Sequence, residues 1–145
     1  MAEALKEASK AGELGEVPVG AVIVHGSEVI ARGYNRKETS LNPTHHAEII
    51  AIERAAKKLK NWRLRGTTLY VTLEPCLMCM GAIIQARVPR LVFAALDPKA
   101  GACGSLYDLS NDKRLNHRVH VTSGVGEDGA REILKKFFSK LRKRG

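Results

Sequence analysis

His46, followed two residues later by Glu48, and the pair Cys76 and Cys79, preceded by Pro75, are the side chains whose types and spacing could do chemistry. At i and i+3 of a first helical turn, both sulfurs project from one face. A helix N-terminus adds free N–H groups and a positive dipole end, which stabilise thiolates. One imidazole and two thiolates around a point form a donor set of a softness suited to Zn2+. Three protein ligands leave the fourth tetrahedral position for water, the pattern of a catalytic site rather than a closed structural one. The metal lowers the pKa of that water towards ~7, and Glu48 is placed to take its proton and deliver it elsewhere.

Each half of the constellation has a plainer meaning. His-x-Glu arises by chance on surface helices, and Cys-x-x-Cys serves as a redox pair or as half of a structural zinc site. A redox pair has no need of an upstream His-x-Glu. A structural site needs a fourth ligand, for which Cys103, His25, His45, His117 and His120 are the candidates. Order, proline and spacing together are far more specific than either half, and they favour catalytic zinc.

These residues must be carried by elements that bring them together. Ala2 to Ala11 reads as a short helix closed by Gly12 and Gly15. Val17 to Val24 and Glu28 to Tyr34 read as strands joined through His25-Gly26-Ser27. Asn42-Pro43-Thr44 reads as the start of a helix running to about Lys60, with Ile49, Ile52, Ala56 and Leu59 on one face. Thr67 to Leu73 is a strand, Pro75 opens a second helix, and Leu91 to Ala95 is another strand. A glycine-containing loop from Asp97 to Ser105, a candidate last strand at Arg118 to Thr122 and an amphipathic helix from Asp128 to Arg144 complete the order. Strand–helix–strand alternation after a hairpin predicts an α/β chain, a three-layer α/β/α arrangement with a mixed, mostly five-stranded sheet.

With 145 residues, 44% of them hydrophobic and 27% charged, the chain is expected to form one domain, residues 1–145, without disulfide staples. No apolar run approaches the ~20 residues of a membrane helix, and no secretory signal is evident, so a cytoplasmic protein is expected. Three cysteines cannot all pair, which favours a reducing compartment. The net charge is +9. Residues 131–145 hold seven basic side chains against Glu132, which accounts for +6 of it. A second basic cluster comprises Arg54, Lys57, Lys58, Lys60, Arg63 and Arg65. Such patches fit a polyanionic partner, nucleic acid first, or simply a solvated helix face.

The signature H-x-E…P-C-x-x-C is that of the zinc nucleobase deaminases. Further stretches extend the likeness: Glu16-Val17-Pro18-Val19-Gly20-Ala21, Asn42-Pro43-Thr44, Thr72-Leu73-Glu74-Pro75-Cys76, Asp97-Pro98-Lys99, Asn116-His117-Arg118 and the tail Phe137 to Arg142. Over nearly its whole length the chain resembles the bacterial tRNA-specific adenosine deaminases of the TadA type, within the cytidine/deoxycytidylate deaminase superfamily. The resemblance implies a cytidine-deaminase-like fold, a homodimer, one Zn2+ per subunit and conversion of adenosine to inosine at the wobble position of an arginine tRNA. It implies that His46, Cys76 and Cys79 bind zinc and that Glu48 shuttles the proton. Asn35 matches an asparagine that hydrogen-bonds the target nucleoside. Val19, Ala47 and Phe138 match positions lining the base pocket, and Asp97 an acidic residue near the nucleotide's ribose and backbone. Departures are His45, where the family often has a small residue, and Met80, larger than expected.

Two other readings compete. A deaminase of a free base or nucleotide (cytosine, dCMP or guanine) would use the same zinc chemistry, but a small substrate needs no extended basic surface. A non-catalytic, zinc-stabilised RNA-binding subunit would have no use for Glu48. Neither a membrane nor DNA is an expected partner.

Overall fold

The computed structural model describes residues 1–144. The elements are α1 (Ala2–Glu13), β1 (Gly20–His25), β2 (Glu28–Tyr34), α2 (Ala47–Leu59), β3 (Thr67–Leu73), α3 (Leu77–Gln85), β4 (Arg90–Ala95), β5 (His120–Thr122) and α4 (Glu127–Arg144). They build one five-stranded mixed sheet in the order β2-β1-β3-β4-β5. β1 runs antiparallel to β2 and β3, with Ala21 beside Gly33 and Val71. β4 runs parallel to β3, with Leu91 beside Leu69, and to β5.

Side chains alternate across the sheet and choose the layers. Ala21, Ile23, Leu69, Val71, Leu91 and Phe93 bury one face with Ala51 and Ala55 of α2 and Met80 and Ile83 of α3. On the opposite face, Ala94 packs with Ala130 of α4 and with Met1 and Leu5 at the start of α1. This is the expected three-layer α/β/α arrangement, with Met80 a core side chain. Two glycines let helix backbone touch strand backbone. At Gly20 a Cβ would strike the backbone of α1 at Ala4 and Ala8. At Gly33 it would stand 2.5 Å from the Ala47 carbonyl oxygen and 2.9 Å from the Ala51 nitrogen. The first turn of α2 therefore rests directly on β2.

The pairing directions gather the chain's connections at one edge. The carboxyl ends of β2, β3 and β4 and the amino end of β1 all open onto it. Ligands of α/β sheets bind outside the carboxyl ends of strands, and His46, Glu48 and Cys76 line a cavity there. The helix carrying His46 begins later than its sequence suggests. Asn42-Pro43-Thr44 forms a turn, in which Asn42 Oδ1 accepts the Thr44 N–H at 2.9 Å and its hydroxyl at 2.8 Å. The short polar side chain competes for the backbone and holds it out of the helix. Other differences are confined to element ends: β1 starts at Gly20 rather than Val17, and β5 at His120 rather than Arg118. Among the described residues no helix is long and apolar enough to cross a membrane.

Candidate active site

His46 and Cys76 occupy equivalent positions as the N-cap residues of α2 and α3, each with extended ψ (156° and 178°) and no side-chain cap bond. Their carbonyls start the helices, accepting from Ile50 N–H at 3.2 Å and Met80 N–H at 2.8 Å. The side chains, freed from capping, point at one another instead. His46 Nδ1 lies 3.6 Å from Cys76 Sγ and 3.5 Å from Cys79 Sγ. All three donor atoms fall within 4.8 Å of one another.

These separations test whether a metal fits. Zinc with Zn–S of about 2.3 Å and Zn–N of about 2.1 Å at a tetrahedral angle requires S···N of roughly 3.6 Å. The observed 3.5 and 3.6 Å meet that requirement. The donor set is therefore compatible with a metal ion in both type and spacing. The electrostatics point the same way. The neighbouring Cys79 thiol, and then His46, hold the Cys76 sulfur down to about 4, while that thiolate and burial push Cys79 up. Hydrogen bonding to the Cys76 thiolate raises His46. Without a cation only one of the two sulfurs ionises; a dication stabilises both thiolates.

Glu48, in the first turn of α2, is 4% exposed, and burial raises its carboxyl above the usual range. It lines the same cavity, of about 180 Å3, as His46, Ala47 and Cys76. That volume lies below the ~300–1,000 Å3 of clefts for drug-sized ligands and suits a single heterocycle. Val19, Asn35 and Asp97 also line it. The Asn35 amide donates one N–H to the Val17 carbonyl at 3.2 Å and accepts the Lys37 N–H at 3.2 Å, which leaves one N–H for a ligand. Asp97 Oδ1 accepts the Lys99 and Ala100 N–H groups at 3.1 and 3.2 Å, closing a turn at the rim.

The structure does not bring every anticipated residue to the cavity. Phe138, 40% exposed on α4, lies outside its lining. Its ring meets Phe137 edge-on at 5.3 Å, and Phe137 with Leu141 lines an adjoining groove that shares Val17, Asn35 and Lys37 with the cavity. His45 is held by Ser40, with Nδ1 2.8 Å from the hydroxyl. Cys103 is buried within the loop after β4, where burial pushes its thiol up to about 11. Sequence reasoning missed Val17, Lys37, Leu73, Glu74 and Ala100 as lining residues. Only Glu74 carried a signal, a lone acid directly after an apolar strand.

A cytidine-deaminase-like sheet with this donor set and a buried glutamate at its open edge defines a deaminase. The sequence model of the MafB19-like deaminases matches residues 1–142. The tRNA-specific adenosine deaminase of Bacillus subtilis is 51% identical over 144 residues, which span 99% of this chain and 89% of that one. The Haemophilus influenzae tRNA-specific adenosine deaminase is 49% identical, spanning 98% and 83%. A structure solved in a study of A-to-I editing by tRNA:A34 deaminases superposes with a TM-score of 0.89 at 47% identity, over 92% and 97% of the two chains. A guanine deaminase from Nitrosomonas europaea shares the fold, with a TM-score of 0.77 at 26% identity over 94% and 81%. The chain belongs to the tRNA-specific adenosine deaminase family.

Proposed function

We propose that this chain converts adenosine to inosine at the wobble position of a tRNA, an arginine tRNA first, by hydrolytic deamination. The observation that carries the reading is the meeting of His46, Cys76 and Cys79 with the buried Glu48 in one base-sized cavity. His46, Cys76 and Cys79 would hold one Zn2+. When bound, it supplies a Lewis acid that makes water nucleophilic near neutral pH.

The chain's own groups do the rest. The Glu48 carboxylate takes a proton from the attacking water and delivers it to the ring nitrogen beside the amino-bearing carbon. As the carbon–nitrogen bond breaks, Glu48 takes the remaining proton of the added hydroxyl and passes it to the departing amino group, so that adenosine plus water becomes inosine plus ammonia. Burial raises the Glu48 carboxyl and so suits it to hold a proton in mid-reaction. Val19 and Ala47 flank the base, Asn35 offers its free amide N–H, and Asp97 stands at the rim for the ribose. Phe138, exposed on α4 and edge-on to Phe137, stands outside both the cavity and the adjoining groove.

The base must leave the anticodon stack at a cost of a few kcal/mol, ~2–4, which an exposed loop minimises. Exposed basic side chains on α4, among them Lys140, Arg142, Lys143 and Arg144, offset it by neutralising phosphates. Residues 1–145 act as a single catalytic domain with 128–145 as its basic surface, in a cytoplasmic homodimer. The test is inosine formation in an arginine anticodon stem-loop transcript, with free adenosine, cytidine and guanine as parallel substrates. Inosine in the RNA alone supports the reading. Turnover of a free base or nucleoside alone would overturn the RNA partner.

A further inference from the structure

The deamination chemistry makes no use of Glu74, yet few side chains in the molecule are so heavily engaged. It stands between β3 and α3, two residues before Cys76, is 2% exposed and lines the cavity. Its carboxylate accepts from donors that all belong to the segment after β4. Oε1 takes the Asp97 N–H at 3.0 Å and the Ser105 hydroxyl. Oε2 takes the Cys103 and Ser105 N–H groups, each at 3.0 Å. Gly101 lies flat against the carboxylate, in space that a Cβ would contest. The same segment is fastened again beside the metal-ligand position: Cys76 bridges to Gly101, and the Ala102 N–H donates to the Pro75 carbonyl at 2.8 Å.

Burying a carboxylate is costly unless its lone pairs are satisfied. Among the described residues no lysine or arginine pairs with Glu74, so the four donors meet that cost alone. Only a carboxylate presents two oxygens that accept and never donate. A glutamine amide would turn its NH2 towards donors that already point inward. The segment so gathered carries Asp97 and Ala100, one wall of the cavity, while the residue that gathers it is covalently close to Cys76.

We propose that Glu74 is a positioning residue for the reaction, holding the Asp97–Ser105 wall in register with Cys76 so that the substrate's seat and the metal's move as one body. Gly101 is its counterpart, kept bare so that the carboxylate can reach its donors. The proposal rests on the deaminase reading for its kinetic arm only. Loosening this clasp displaces the substrate wall and leaves His46, Cys76 and Cys79 in place, so it alters binding before it alters metal content.

Glu74→Gln, purified with zinc, is compared with the unaltered chain by metal stoichiometry, steady-state kinetics on the anticodon stem-loop transcript, and amide hydrogen exchange. Zinc content is expected to be unchanged. KM is expected to rise about tenfold with kcat within about threefold, and exchange at Cys103 and Ser105 to quicken about tenfold, as for loss of a hydrogen bond to a charged acceptor. Gly101→Ala should act in the same direction. Where Glu74→Gln fails to fold, Ser105→Ala removes only the hydroxyl donor and should show the same KM shift at smaller amplitude. Loss of zinc with kcat falling at constant KM would overturn the proposal, as would unchanged exchange and unchanged KM in all three variants. Exchange is measured without substrate, so it tests the clasp even where the RNA-editing reading fails.

Discussion

Gly33→Ala adds one methyl where β2 carries the first turn of α2. The new Cβ would lie 2.5 Å from the Ala47 oxygen, 2.9 Å from the Ala51 nitrogen and 3.2 Å from the Ile50 Cβ. Two of the three neighbours are backbone, so no rotamer change relieves them. Bringing the closest contact from 2.5 to 3.0 Å requires the helix or the strand to retreat by at least 0.5 Å. Overpacking of this kind costs roughly 1–3 kcal/mol. For a chain of this size that corresponds to a Tm lower by about 2–12 °C. The retreat falls on the turn that bears His46 and Glu48, and since a 1 Å misplacement costs ~100-fold, half of that should cost roughly tenfold in kcat/KM. Calorimetry and inosine formation on the stem-loop measure the two effects. A Tm within about 1 °C of the unaltered chain and unchanged kcat/KM would refute the idea that bare strand backbone sets the height of the catalytic turn.

Glu48→Gln keeps the shape but removes the carboxylate of the proposed proton relay, and kcat should fall by about 10²–10⁴ with zinc content unchanged, checked by single-turnover assay beside metal analysis. The buried Glu16 gives a pH signature. Burial works to raise its carboxyl, but the N–H groups of Thr39 (2.6 Å) and Glu38 (3.0 Å) outweigh that and hold it below the ordinary 4.5. A depressed folded-state value contributes stability that is fully present above about pH 4.5 and is lost as pH falls through the folded value. Tm measured from pH 7 to pH 3 should therefore drop below pH 4.5, and Glu16→Gln should lower Tm at neutral pH while flattening that drop. Replacing Lys140, Arg142, Lys143 and Arg144 by glutamine should reduce the slope of log K against log salt for stem-loop binding by about 0.7–0.9 per lost phosphate contact. Turnover of any small nucleoside substrate should be unaffected, and an unchanged slope would remove α4 from the RNA surface.

The donor set is legible in the sequence because its chemistry is local: Cys76 and Cys79 share a helical turn, and His46 stands two residues from Glu48. The strands of the sheet are legible too, since Val19 to Val24 and Thr67 to Leu73 carry enough β-branched and apolar residues to be strands in any context. The start of α2 misleads because Pro43 suits a first helical turn, whereas the Asn42 side chain captures the Thr44 amide and ends that option. The remaining cavity wall is illegible for a different reason. Val17, Leu73 and Ala100 are ordinary apolar residues, and only the antiparallel entry of β1 beside β3 brings them to one place. Phe138 shows the limit of matching a residue to a family position: one step along α4 separates a side chain that faces the groove from one that does not.

The parallel pairing of β3 with β4 has a consequence for how the molecule comes into being. A parallel pair needs a crossover, and here the crossover is α3, the helix that opens on Cys76 and carries Cys79. Two of the three donors thus share a single helical turn, whereas His46 stands on α2, beyond the β1–β2 hairpin. The two sulfurs are brought together by local helix geometry, but the imidazole reaches them only through the long-range pairing of β1 with β3. Pairings of that range are slow to form, because loop closure is spent before contacts reward it.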